Sequence, residues 1–282
     1  MKPPACVGPA DAFIRACRYE WRHLAALTST WILLAAVASL SVLTGLTVLL
    51  DLDKQHTVSS MTVADAIAWT PLSTQVPALC FFTLILGTGP VSTDLISGGA
   101  RTTWLAVNGR RTAYLAKCAV GFTVGAAVAA VSALVGALSC AAALALAGAH
   151  QPAWGGVVAP GVRFVGWMGC WALLCLALVA LVRSRMVAVL LLVLWPLIGE
   201  RIAGALLEYL GLDGVGDWLP FAAGRAMLTD VSAYSADERP FAQALVGSEL
   251  SPPVATAVFL AYAAAITAAG WWAYSSRDAK TP

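Results

Sequence analysis

Residues 31–50 read WILLAAVASLSVLTGLTVLL, an unbroken run without a single charged side chain, closed by Asp51. At 1.5 Å of rise per residue, a helix of this length covers about 30 Å, the thickness of the hydrocarbon core of a bilayer. Comparable apolar runs recur at 72–93, 113–147, 162–182, 186–203 and 253–274. The whole chain is 60% hydrophobic and only 11% charged, with a mean hydropathy of +0.79. A soluble domain carries about 25% charged residues. A transmembrane β-barrel would show short alternating segments, and none are present. The sequence therefore predicts an all-α polytopic membrane protein. It has six transmembrane helices in one domain over 10–282, behind a disordered, proline-containing segment at 1–9.

Between the runs the chain is polar. Residues 10–27 carry a helical amphipathic pattern, with Phe13, Ile14, Cys17, Trp21 and Leu24 on one face and Arg15, Arg18 and Arg22 opposite. This suits an interfacial helix lying in the headgroup region, apolar side down. Residues 51–70 read as a polar loop. The second run contains Pro77 and a Gly89-Pro90 pair, which predict a kink. The third is longer than a bilayer requires, so it tilts or projects. Its Gly121, Gly125, Ala129, Ala133 and Ala137 make one small face, suited to close packing within the bundle. The tight basic turn Arg183-Ser184-Arg185 separates the fourth and fifth runs, and Pro196 lies inside the fifth. The long region 204–251 holds two short apolar pieces, 206–210 and 218–227, which read as half-helices dipping into the outer interface.

Charge sets the orientation. Lys2, Arg15, Arg18, Arg22, Arg101, Arg110, Arg111, Lys117, Arg183, Arg185, Arg277 and Lys280 all fall on one side of a six-span arrangement, while most of the acids fall on the other. The positive-inside rule makes the basic side cytoplasmic, with both termini there and the chain in the plasma membrane.

Several chemistries lack their residues. No GxxxxGK[ST] phosphate loop occurs. His23, His56 and His150 all lie outside the runs, and the cysteines have neither zinc-site nor CxxC spacing. Asp94, Glu200 and Arg201 sit towards run ends, leaving the centres without the ionisable groups that ion-coupled transport uses. No catalytic residue, metal ligand or cofactor site is expected, and no nucleic-acid partner.

What remains is the basic insert 94–117, DLISGGARTTWLAVNGRRTAYLAK. Residues 100–107 fit a short helix carrying Arg101, Thr102, Thr103, Trp104 and Leu105, and Asn108-Gly109 then turns the chain. Arg110, Arg111 and Lys117 stand at headgroup depth. An exposed Trp-Leu knob with a basic rim suits docking into a groove on another protein.

This insert resembles the first cytoplasmic loop of ABC type-2 permeases, the membrane subunits of many bacterial ATP-binding-cassette exporters. The resemblance rests on Asp94, Gly98, Arg101, Thr102, Thr103, Leu105, Ala106, Arg110, Arg111 and the pair Ala116-Lys117, with Gly99 and Asn108 standing where Thr and Pro are usual. The ending Gly270-Trp271-Trp272 through Arg277-Asp278-Ala279 is also similar to that family's C-terminal pattern. The resemblance implies a transport subunit without its own ATPase site. It implies a separate nucleotide-binding subunit docked on residues 100–108, with Trp104 and Leu105 as anchors and Arg101 paired to acids on the partner. Arg183, Ser184 and Arg185 would lie near a second contact, and Arg15, Arg18, Trp21 and Arg22 would belong to a lateral elbow helix in the lipid interface. It also implies pairing with a second permease subunit, as a homodimer. The apolar, uncharged runs favour an apolar or amphipathic cargo. A non-exporting immunity or sensor subunit of the same family, or a secondary transporter, is the alternative.

Overall fold

The computed structural model describes residues 9–50, 57–69, 76–96, 109–212, 214–234, 236–237 and 239–276, with backbone alone at 9 and 90–96. Every regular element among them is helical. Helix α1 (Pro9–Ala26) opens on a proline, whose missing N–H costs nothing in a first turn. A one-residue break leads into α2 (Thr28–Leu50). The break is closed locally: Thr30 Oγ1 donates to the Leu24 carbonyl at 2.8 Å and Trp31 Nε1 to the Ala25 carbonyl at 2.9 Å. These bonds satisfy carbonyls that the end of α1 leaves without an intrahelical donor.

The expected loop at 51–70 contains a helix, α3 (Ser60–Ile67), started by Ser59, whose hydroxyl accepts the Thr62 N–H at 3.0 Å. Met61, Val63, Ala64 and Ile67 are buried, so this segment caps the bundle. Helix α4 (Leu79–Ile96) begins seven residues later than expected. Pro77 precedes it and accepts the Cys80 N–H at 2.9 Å, so this proline starts the helix and does not kink it.

Helix α5 (Arg110–Leu146) runs 37 residues, about 55 Å, and exceeds any bilayer core. Helix α6 (Gly155–Val182) follows. Next, α7 (Arg185–Leu194), a π-helical turn (Trp195–Gly199) and α8 (Glu200–Tyr209) form one continuous 25-residue rod. Pro196 has no N–H to give, and the Glu200 N–H reaches the Trp195 carbonyl five residues back, so the ladder absorbs the proline without breaking. Residues 206–210 thus extend this rod and are not a separate half-helix. Glu200 lies well inside the rod, not at its end.

The second apolar piece behaves as expected in part. It forms α9 (Pro220–Leu228), too short to cross a membrane, and is buried on nearly every side. Then come α10 (Arg239–Val246) and the last long helix, α11 (Pro252–Ser276). Among the described residues, five helices are long and apolar enough to cross a membrane: α2, α5, α6, the α7–α8 rod and α11. The described apolar part of α4, Leu79–Gly89, is shorter, so five of the six expected spans have such a helix.

Helix α6 is the axis of the bundle. Two thirds of its apolar window is buried, against a third or less for each of the other four. Trp167 stacks on Trp171 at 5.5 Å and on Phe259 of α11 at 5.4 Å, while Trp171 meets Phe221 of α9 edge-on at 6.3 Å. The Trp171 indole donates to the Cys80 carbonyl at 3.2 Å, binding α4 to the same centre. Small residues set the helix spacing. A Cβ at Gly125 would lie 2.7 Å from the Met168 carbonyl oxygen, and one at Gly270 would lie 2.8 Å from Ala177 Cα. The small face of α5 therefore packs inside the bundle, against α6 through Gly121 and Gly125. The outward faces carry Leu46, Leu134, Leu138, Leu260 and Trp272, all exposed. Water penalises so much exposed apolar surface, and hydrocarbon chains do not. The architecture is that of a polytopic helical membrane protein.

Candidate functional site at the basic end of the bundle

One end of the bundle gathers α1, the start of α5, the α6–α7 turn and the end of α11. Gly109 precedes α5 with φ 145° and ψ 148°, a backbone that L side chains rarely adopt; Asn108, the other half of the expected turn, lies outside the described residues. Arg111 places its guanidinium 5.5 Å over the Trp271 ring of α11. One turn further on, Tyr114 is fully buried, packs 5.3 Å from Tyr274 and donates from Oη to the Thr267 carbonyl at 3.4 Å. These contacts fasten the first two turns of α5 to the end of α11.

The next turn fastens α5 to α1. Lys117 Nζ meets Glu20 Oε1 at 2.6 Å, and each side chain is only 3% exposed. Ala16 and Ala116 are fully buried in the same contact, small enough to bring the two helices together. The sequence places Lys117 among the lipid headgroups; in the structure its side chain is buried against the protein instead. Lys117 turns inward because an acid on α1 lies opposite it and alanines leave room. Burial along α1 also shows which side meets the bundle. Ala12, Ala16, Glu20 and Leu24 face the protein, while Ile14 and Trp21 point outward with Arg15, Arg18 and Arg22. Glu20 was missed because a lone glutamate on a basic amphipathic helix reads as solvated. Its only signal was the i, i+4, i+8 series Ala12, Ala16, Glu20, a narrow small-residue stripe ending in a charge.

The turn Arg183-Ser184-Arg185 forms as its spacing suggests. Arg183 takes the left-handed conformation (φ 57°) that ends α6, and Ser184 caps α7 by accepting the Val187 N–H at 3.4 Å. Arg185 Nε donates to Thr88 Oγ1 of α4 at 3.2 Å. The remaining expected contact residues, Arg101, Thr102, Thr103, Trp104, Leu105 and Asn108, lie outside the described residues. Their two anchors are described: α4 ends at Ile96 and α5 begins at Arg110.

A second ionic contact sits at the opposite end. Glu200 is 2% exposed; Oε1 accepts the Phe221 N–H at 2.7 Å, and Oε2 lies 3.6 Å from Arg225 Nη1. The carboxylate thus serves a buried N–H in the first turn of α9 that has no intrahelical acceptor, where a negative charge is favoured. Arg225 also donates from Nε to the Val246 carbonyl at 2.7 Å, joining α10 to the same knot. Among the described residues no group of three or more His, Cys, Asp or Glu side chains is placed to hold a metal ion.

Comparison with protein-family models, with curated proteins and with solved structures yields no match for this chain.

Proposed function

We propose that this chain is the transmembrane subunit of an ATP-binding-cassette exporter of the type-2 permease kind. It moves an apolar or amphipathic cargo across the plasma membrane with energy from a separate nucleotide-binding subunit. The basic end faces the cytoplasm, both termini lie there, and a second permease subunit completes the path. The observation that carries the reading is the sequence of the insert 94–117, whose Arg-Thr-Thr-Trp-Leu run falls in the chain between the end of α4 and the start of α5.

The packing of the basic end supports it. A short helix seated in a groove of the ATPase would move rigidly with it and pull on both flanking helices. Helix α5 does not move alone: the Lys117–Glu20 pair ties it to α1, and Tyr114–Tyr274 with Arg111–Trp271 ties it to α11. Arg185 on Thr88 ties the α7–α8 rod to α4. A displacement of residues 97–108 would therefore reach α1, α11 and the α7–α8 rod through named contacts. The buried acids fit this reading better than ion coupling, because Glu20 and Glu200 each face a cation and Glu200 also caps a helix.

The test purifies the chain from its native membranes with any associated ATPase, reconstitutes the complex in lipid and measures ATP hydrolysis. Trp104→Ala with Leu105→Ala is expected to cut assembly and hydrolysis by about tenfold or more, as loss of two buried anchors does. Unchanged assembly and hydrolysis in the double variant sinks the docking assignment.

A further inference from the structure

Beside the α1–α5 contact runs an open groove of about 370 Å³, walled by Ile14, Cys17, Trp21 and Val120, with Arg18 and Arg22 at its rim. The same two arginines border a second hollow on their other side, shared with Arg15, Tyr19 and His23. Arg18 and Arg22 therefore stand between an apolar trough and a basic one. Four residues apart on a helix, they share a face with their Cβ atoms about 6 Å apart. Among the described residues neither they nor Arg15 makes an ion pair. Glu20, the acid nearest to them along the helix, is turned away and held in the buried pair with Lys117.

We infer that this groove is a binding site for an anionic phospholipid. One acyl chain lies along Ile14, Trp21 and Val120, and the phosphodiester sits between the Arg18 and Arg22 guanidinium groups. The groove alone would take any alkyl chain, and the arginines alone any anion; together they fit a molecule that is both. Guanidinium forks match phosphate oxygens in pairs. A zwitterionic lipid brings its own cation to the same place and loses most of the attraction. Free phosphate has no chain for the trough. Basic pockets between helices at the cytoplasmic surface take anionic headgroups by the same physics. The Lys117–Glu20 pair thus has a second effect: it withdraws the carboxylate nearest to Arg18 and Arg22, so that the acid left on their face is Asp11, two turns before Arg18. The inference rests on the membrane architecture and not on the exporter reading, so either can fail without the other.

The experiment uses the full chain in detergent with equimolar dioleoylphosphatidylglycerol and dioleoylphosphatidylcholine, read by native mass spectrometry. One phosphatidylglycerol is expected to stay bound under activation that strips phosphatidylcholine. Arg18→Ala with Arg22→Ala is expected to lower its affinity roughly thirtyfold. Equal retention of the two lipids, or unchanged retention in the double variant, overturns the site. A second measurement needs no arginine variant. Cys17 is half-buried in the groove, whereas Cys80, Cys118, Cys140, Cys170 and Cys175 are buried. In a Cys6→Ser background, phosphatidylglycerol should slow maleimide labelling of Cys17 at least fivefold, while phosphatidylcholine and inorganic phosphate leave it unchanged. Labelling that ignores phosphatidylglycerol, or that phosphate slows equally, also overturns the proposal.

Discussion

Lys117 and Glu20 form an ion pair 2.6 Å long, sealed between α1 and α5 and 97 residues apart in sequence. Its value lies less in net stability than in consequence. Moving two charges out of water costs several kcal/mol each, which their attraction only partly offsets, but removing one partner strands the other in an apolar contact. Helix α1 is therefore held at one place on α5. Whatever moves α5 moves α1.

Lys117→Met alone is expected to cost roughly 3–5 kcal/mol of unfolding free energy, and Lys117→Met with Glu20→Leu far less, because the double change leaves no buried charge. Equilibrium unfolding in mild detergent measures both. Equal losses in the single and double variants would mean that the pair matters through shape and not charge.

At the opposite end, Arg225→Met should strand Glu200 and cost roughly 3–5 kcal/mol, whereas Glu200→Gln keeps an acceptor for the Phe221 N–H and should cost less. Limited proteolysis within 229–251 follows the same order if α9 and α10 loosen together, since Arg225 also holds the Val246 carbonyl.

Two glycines on neighbouring helices should respond in opposite directions. Gly125→Val meets the Met168 carbonyl, which cannot step aside, and is expected to cost about 1–3 kcal/mol or more. Gly161→Ala in α6 meets nothing within 4 Å and gains helix propensity of about 0.5–1 kcal/mol. Thermal melts of the two variants in detergent should move apart on either side of the parent.

Orientation has its own test. In a cysteine-free background, a cysteine at Arg183 should react with a membrane-impermeant maleimide only after cells are opened, and one at Tyr209 should react in intact cells. The reverse pattern would invert the topology and move residues 97–108 away from any cytoplasmic ATPase.

Much of the architecture is readable in the linear chain because a membrane span is a local property. Length, absence of charge and flanking arginines suffice for α2, α5, α6 and α11, and the Arg183-Ser184-Arg185 turn follows from two apolar runs meeting with no spare residue. The same reasoning misplaced the start of α4 and missed α3. Both lie where polar and apolar residues mix and hydropathy has no sharp edge. The candidate site was legible as a basic insert and a basic helix, but its central contact was not.

The insert 94–117 is defined by its residue order, and its described flanks are the end of α4 and the start of α5. By itself the sequence determined the apolar rods, their approximate lengths and the gathering of cations at one end. Only the tertiary structure decided that α6 is the axis, that Lys117 faces inward to Glu20, and that Glu200 caps α9 beside Arg225. The reason is physical. In a bilayer both the lipid and the protein interior are apolar, so hydrophobic residues do not say which face is buried. That information resides in where small residues let helices touch and in which charges meet there, and those meetings join residues far apart in the chain.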